Sequence, residues 1–524
     1  MTETQEGSRG ERVHAWTPVE ITLAAQRQYA RPYTDVEVWA EFTHDSGVVV
    51  RRPGFWDGGS TWRFRFAAPF AGGRWTWRSV ADPADPGLDG QRGELTVADH
   101  SAVGNRFHRH GFWRMSPQGR SLVHADGTPA VLVGDTAWAL PWRATEEAVR
   151  VYAADRQAKG FNAVLMMSVQ PDRDARGPRD RTADHGFDVA FEDLSEGHLN
   201  ELNPAYFRFL DRLTNILAEH ELVPVFQPVF QGWGWKGQRG DSGAVVPPGE
   251  YARYCRYLVA RYGASPAVWL VGADGSGKEP QVAAGGAEIG RWDAYRQPCG
   301  IHYAPFSGNR ACQEADWLDF QWCQTGHRGE HVPERLTDMW RNTPAKAVAN
   351  GEPTYERGGV PDKAVGWWQG HEAWSNLCAG GTMGVVYGAG SLWQWRLHSG
   401  EPGHHAYFLA KEAGWREALD FEGSRYVGLV GRILDGLPTT DMRPDWEISK
   451  SPRGLLSPGV LFIAYCERGG RLGIRDLTGT QVPRAYRVID PRTGETTGRG
   501  VRTGDMDDIP DEGGAPRVYI CYDG

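Results

Sequence analysis

VLVGDTAWALPWRATEEAVRVYAADRQAKGFNAVLMMS, Val131 to Ser168, reads as a strand, a helix and a second strand. VLVGD is a short apolar run that ends in a loop. Thr145, followed by Glu146 and Glu147, is an N-cap with acids facing the positive end of a helix dipole. Val149, Tyr152, Ala153 and Arg156 recur at helical spacing, and Gly160 stands where a C-cap glycine belongs. FNAVLMMS then resumes as a continuous apolar run, the pattern of a parallel strand buried on both faces.

The same alternation continues on both sides. After VLVGD and FNAVLMMS come LVPVFQPV, VWLVGAD, GIHYAPF, LDFQWCQT, AKAVANGE and TMGVVYG, which makes eight runs. Asn203-Pro204 is another cap-plus-first-turn pair, and Phe207, Leu210, Leu213 and Leu217 follow at helical spacing. Eight strand–helix units over roughly 290 residues predict an α/β fold, a (β/α)8 TIM barrel. Upstream, VEITLAA, DVEVWAEF, TWRFRFAAPF, GRWTWRSV and GELTVAD alternate with period two between Gly, Pro and Asp clusters. Downstream, GVLFIAYCE, RLGIRDL, AYRVIDPRTGE and PRVYICYD do the same. The expected organisation is an N-terminal β-sandwich over 1–104, the catalytic barrel over 105–432 and a C-terminal β-sandwich over 433–524.

Composition narrows the function. The 524 residues are 40% hydrophobic and 23% charged, with a net charge of −9, which favours neither nucleic acid nor an anionic membrane surface. No apolar run approaches a membrane span. The polar start MTETQEGSRGERVHAW lacks the apolar stretch of a secretory signal, so a cytoplasmic location is expected. The seven cysteines form no CxxC, and neither a disulfide framework nor a zinc knuckle is indicated. The 23 Trp, 18 Tyr and 19 Phe are mostly core and strand packing, but some suit the C–H faces of sugar rings.

In a parallel barrel the chemistry sits at the C-terminal ends of the strands. VLVGD ends in Asp135 with Trp138 behind it. FNAVLMMS carries Asn162 at its start and leads to Gln170. LVPVFQPV carries Gln227, followed by Trp233. GIHYAPF carries His302 and Tyr303. LDFQWCQT carries Gln324, with His327 beyond. TMGVVYG is followed by Trp393. Indoles and amides suit a hydroxyl-rich neutral ligand, whereas a phosphate site would want Arg and Lys. Two carboxylates stand among them, Asp274 ending VWLVGAD and Glu352 ending AKAVANGE, with Tyr355 and Glu356 close behind. A pair of carboxyl groups from opposite sides of a barrel is the minimum equipment for glycosidic cleavage, and Pro353 stiffens the chain just after Glu352.

GDTAW (134–138), DRQAKGFNAV (155–164), NPAYFRFLDRL (203–213), YCRYLVARYGASPAVWLVGAD (254–274), WLDFQWCQTGH (317–327) and NGEPTYE (350–356) resemble, in order, the apiosidase-like barrel family of bacterial glycoside hydrolases. FWDGGSTWRFRFAAPFAGGRWTW (55–77) resembles the sandwich that often precedes such barrels, and AYRVIDPRTGE (485–495) resembles the small β domain, named for collagen binding, that follows them. The resemblance implies a glycoside hydrolase, with a furanose among the sugars it could release, and together with the placement of the two acids it implies retention. The long segments 171–203 and 231–248 should wall in a pocket, so exo action on a terminal sugar is expected, and the lack of a signal segment points to oligosaccharides as substrates. The resemblance puts the general acid/base on Asp274 and the nucleophile on Glu352, with no metal and no cofactor. The chain departs from the family pattern at Ala273, where glycine is usual, and in the GSGK after Asp274. Oligomeric state is left open.

Three other readings compete. Gly272 to Lys278 satisfies G-x4-G-K, but Glu279 and Pro280 follow where a phosphate loop needs Ser or Thr. A metal-dependent hydrolase would draw on His302, His327, His331, His371, His404 and His405, none of which has tight ligand spacing. A non-catalytic carbohydrate- or matrix-binding protein would bind sugar without needing Glu352.

Overall fold

The computed structural model describes residues 12–99, 104–170, 189–232, 242–305, 307–325, 332–358, 364–401, 413–445, 453–457, 460–469, 472–474, 484–502, 506–509 and 514–522. At its centre are eight parallel strands: β1 (Leu132–Thr136), β2 (Ala163–Met167), β3 (Val223–Gln227), β4 (Val268–Gly275), β5 (Cys299–Tyr303), β6 (Phe320–Gln324), β7 (Ala347–Glu352) and β8 (Gly384–Tyr387). They are hydrogen-bonded in the order β7-β6-β5-β4-β3-β2-β1-β8. The ring is nearly closed between β7 and β8. Met383 N–H donates to Val348 O at the bottom, and Glu356 pairs with Ala389 just above the strands. All eight predicted runs form these strands.

Helices α1 (Glu146–Lys159), α2 (Pro204–Glu219), α3 (Pro248–Tyr262), α4 (Pro280–Trp292), α5 (Glu334–Trp340), α6 (Trp368–Cys378) and α7 (Glu422–Leu434) cover the barrel. Their ends follow the sequence signals. Thr145 accepts from Ala148 N–H, Gly160 closes α1 with φ 101°, and Asn203 accepts from Ala205 N–H. The buried face of α1 includes Arg156, whose guanidinium meets the Asp135 carboxylate at 2.6 Å.

The N-terminal β domain is two sheets. One orders residues 12–13, 92–97, 74–82, 37–44 and 49–53; the other orders 18–24, 61–67 and 55–56. Phe42 and Phe66 stack between them, 4.1 Å apart. This domain is locked to the barrel by ions. Arg261 of α3 spans Asp57 (3.0 Å) and Asp211 (2.8 Å), and Arg65 also reaches Asp211 at 2.7 Å. Burial alone would raise the Asp211 carboxyl, but the two guanidiniums prevail and hold it at about 2. Among the described residues, the C-terminal β domain has a six-stranded sheet and a two-stranded one. It packs on α6, where His371 Nδ1 lies 3.0 Å from the Tyr465 hydroxyl. No helix among the described residues is long and apolar enough to cross a membrane.

Candidate active site

Both carboxylates sit at irregularities of their strands. In β4, Ala273 pairs with His302 and Gly275 with Tyr303, which are consecutive in β5. Asp274 is therefore an extra residue, and its φ of +57° lies in the left-handed region that non-glycine residues avoid. A bulge of this kind bends the strand and re-aims one side chain. In β7, Asn350 pairs with Cys323 and Glu352 with Gln324, so Gly351 is the extra residue. A Cβ there would lie 2.6 Å from the Trp322 ring. The chain after β3 crosses directly over Asp274. A Cβ built on Gly232 would stand 2.0 Å from Asp274 Oδ2 and 2.7 Å from its Cβ, so any side chain there would push the acid aside.

Glu352 is buried, 7% exposed, and closely attended. His302 Nε2 is 3.6 Å from Glu352 Oε2. The Tyr355 hydroxyl hydrogen-bonds the Glu352 carboxylate. The Trp138 indole N–H donates to that hydroxyl at 3.1 Å. Burial, and then the neighbouring Glu352 charge, pushes the Tyr355 phenol well above its ordinary value, so it stays a neutral donor. The Trp138 and His302 rings lie 6.0 Å apart, and those of Tyr355 and Trp393 6.3 Å. Five expected residues, Trp138, His302, Glu352, Tyr355 and Trp393, thus converge. Asn350, with its amide turned to satisfy its neighbours, donates to Glu352 O (3.1 Å) and Cys323 O (3.2 Å). It accepts from Thr325 Oγ1 (2.9 Å) and Asn376 (3.1 Å).

The amides divide. Gln170 is buried beyond β2. Gln227 is buried at the end of β3, and neither of its amide atoms finds a partner among the described residues; the same holds for Gln324 Oε1.

Two expected ligand residues are placed elsewhere. Asp135 is fully buried against α1, accepting from Arg156 and, at 2.8 Å, from Tyr152. Side chains alternate along a strand, and Asp135 shares parity with Val133, which packs toward α7 next to Gly431. Asn162 sits at the opposite end of the barrel. Its amide bridges Val133 N and Val131 O, each at 2.8 Å, and borders a cavity of about 600 Å³ under the barrel floor. Trp233 and His327 lie outside the described residues, as do His331, His404 and His405.

Glu356 is a helix cap, accepting from Tyr387 Oη (2.7 Å) and from Gly423 N–H in the first turn of α7 (3.0 Å). The G-x4-G-K stretch is the end of β4 and its turn, where Glu279 itself takes the Ser276 N–H and hydroxyl at 2.8 Å. Among the described residues no three His, Cys, Asp or Glu cluster to hold a metal ion. Reading the sequence missed Gly232 and Asn350. Asn350 lies inside the NGEP motif, whereas nothing local marks Gly232.

The apiosidase-like catalytic domain family matches residues 116–441, more than half of the chain, and a domain family of unknown function (DUF5060) matches 12–82. No curated protein matches by sequence. A solved structure named glycoside hydrolase is similar at 19% identity and TM-score 0.66, covering 81% of this chain and 99% of its own. A Bacteroides vulgatus structure assigned to the glycoside hydrolases has 18% identity and TM-score 0.72, covering 98% and 100%. A family 5 glycoside hydrolase from the same organism has 17% identity and TM-score 0.65, covering 81% and 95%. At these identities the likeness concerns the fold.

Proposed function

Because the chain belongs to the apiosidase-like family of glycoside hydrolases, we propose that it removes a terminal sugar, of furanose type, from short oligosaccharides with retention of configuration. The reading is carried by one observation. Asp274 and Glu352 are each set at a strand irregularity of the barrel mouth, and Glu352 is held by Tyr355, with His302 Nε2 3.6 Å from its carboxylate. Neutral hydrogen-bonders and indoles surround it, which suits a sugar.

In the first step a Glu352 oxygen attacks the anomeric carbon. Asp274 gives its proton to the glycosidic oxygen, and the alcohol leaves. In the second, Asp274 takes a proton from water, whose oxygen displaces Glu352 from the same carbon. Tyr355 orients the attacking carboxylate, and His302 stands beside it. Gln227 and Gln324 offer unused amide atoms to sugar hydroxyls. Exo action rests on the long segments after β2 and β3, Pro171–Asn203 and Gln231–Pro248. Residues 171–188 and 233–241 of these lie outside those described.

The test is a panel of aryl furanosides and pyranosides, assayed with the wild-type chain and with Glu352→Gln. Turnover of one class of terminal glycoside, abolished by Glu352→Gln with binding retained, supports the reading. No turnover on any member, or cleavage of internal bonds of a polymer at the same rate as short substrates, refutes it.

A further inference from the structure

Behind Glu352 lies a second carboxyl that the proposed chemistry does not use. Glu372 of α6 is 1% exposed. Its Oε2 accepts from the Thr354 N–H at 3.1 Å. Its Oε1 lies 3.4 Å from Thr325 Oγ1 and 3.5 Å from Thr354 Oγ1. Pro353 has no N–H, so Thr354 supplies the first backbone donor after Glu352, and Glu372 takes it. On the other side of Glu352, Asn350 is held by the same Thr325.

The direction of these hydrogen bonds is informative. Asn350 turns its carbonyl oxygen to Thr325, which spends its single hydroxyl proton there at 2.9 Å. The proton between Thr325 and Glu372 then comes from the carboxyl itself. Burial pushes that carboxyl up to about 7 against the pull of its donors, so the neutral form is accessible at working pH. A chain of donors runs from Glu372 through Thr325 to Asn350, and Asn350 donates on to the Glu352 carbonyl. An apolar residue would fill this space without burying a carboxyl, a cost of several kcal/mol unless hydrogen bonds offset it. What Glu372 adds is an anchor on both sides of Glu352.

We propose that Glu372 is a positioning residue, clamping the Asn350–Thr354 segment at the end of β7 from behind the barrel and so aiming Glu352 at the reacting carbon. The inference rests on Glu352 being the nucleophile. Through His371 and Tyr465 the same helix bears on the C-terminal sheet, which gives that domain a mechanical link to the site.

The test compares Glu372→Leu, Glu372→Gln and Thr325→Val, with Glu352→Gln alongside. Glutamine keeps an acceptor for Thr354 N–H and a donor for Thr325, so it retains most of the turnover. Leucine loses both, and an aim off by about 1 Å costs on the order of 10²-fold in kcat with KM nearly unchanged. Thr325→Val breaks the chain at its middle and lowers kcat on the order of tenfold, again at constant KM. If the leucine protein does not fold, Thr325→Val and Glu372→Gln decide alone. Glu372→Leu and Thr325→Val proteins with normal kcat, beside an inactive Glu352→Gln, would overturn the positioning role. So would a loss in Glu372→Gln as large as in Glu372→Leu. An active Glu352→Gln would instead overturn the nucleophile assignment, and this proposal with it.

Discussion

Gly232→Ala should disable Asp274 without replacing it. The added Cβ would stand 2.0 Å from Asp274 Oδ2, 2.6 Å from Cγ and 2.7 Å from Cβ. Comfortable heavy-atom separations are about 3.5–4.0 Å, so the acid must yield by roughly 1 Å. Rotating the carboxylate relieves the first two contacts but not the third, because Asp274 Cβ is fixed by the bulged backbone. Gly232 itself has no left-handed φ, so alanine is not excluded by the backbone. A displacement near 1 Å costs on the order of 10²-fold, or ~2.7 kcal/mol of transition-state stabilisation. The loss should depend on the leaving group. Alkyl glycosides, which need a proton, should fall by the full amount. Aryl glycosides with acidic phenols should keep their first step and lose rate in deglycosylation, where azide restores part of it. The assay is kcat/KM across a leaving-group series, with a thermal melt as the check on folding. A folded Gly232→Ala protein that hydrolyses alkyl glycosides at the wild-type rate would refute both the placement of Asp274 and its role.

Tyr355→Phe removes the hydroxyl that holds Glu352, and should lower kcat about tenfold with KM little changed, read by steady-state kinetics. Asp135→Asn leaves Arg156 buried without its full counter-charge; it should cost about 3–5 kcal/mol in urea unfolding yet leave kcat of the folded protein unchanged. Glu372 should also shape the pH dependence of stability. Its carboxyl stands at about 7 in the folded chain against an ordinary 4.5, so the folded state binds the proton more tightly. The resulting stability is complete below about 4.5 and disappears as pH rises through about 7, ~3 kcal/mol at most. Unfolding at pH 5 and pH 8 should therefore differ less in Glu372→Gln than in wild type.

The barrel was legible because each of its strands is a continuous apolar run between capped helices. The N-terminal sheets were read from their long alternating strands, while the short ones at 12–13 and 55–56 carry no pattern of their own. The two carboxylates were legible as strand-end acids, but the devices that aim them were not. A bulge is a mismatch between two strands, and neither strand alone reveals it. Ala273, the residue that departs from the family pattern, directly precedes the bulged Asp274. Asp135 misled because it stands near the end of a strand, inside GDTAW, while its parity turns it to Arg156, a cation that the sequence shows only as one more residue on the buried face of α1. Asn162 misled because polarity marks both ends of a barrel strand alike.

The central claim is a two-carboxylate retaining mechanism with Glu352 attacking carbon and Asp274 moving the proton. It is tested most directly by proton NMR of the first turnover products of an anomerically pure substrate, before mutarotation. The account predicts that the released sugar first appears with the configuration of the substrate. Carboxyl groups about 5–5.5 Å apart give that outcome, whereas about 6.5–9.5 Å admits a water and inverts. Release of the inverted anomer would contradict the account.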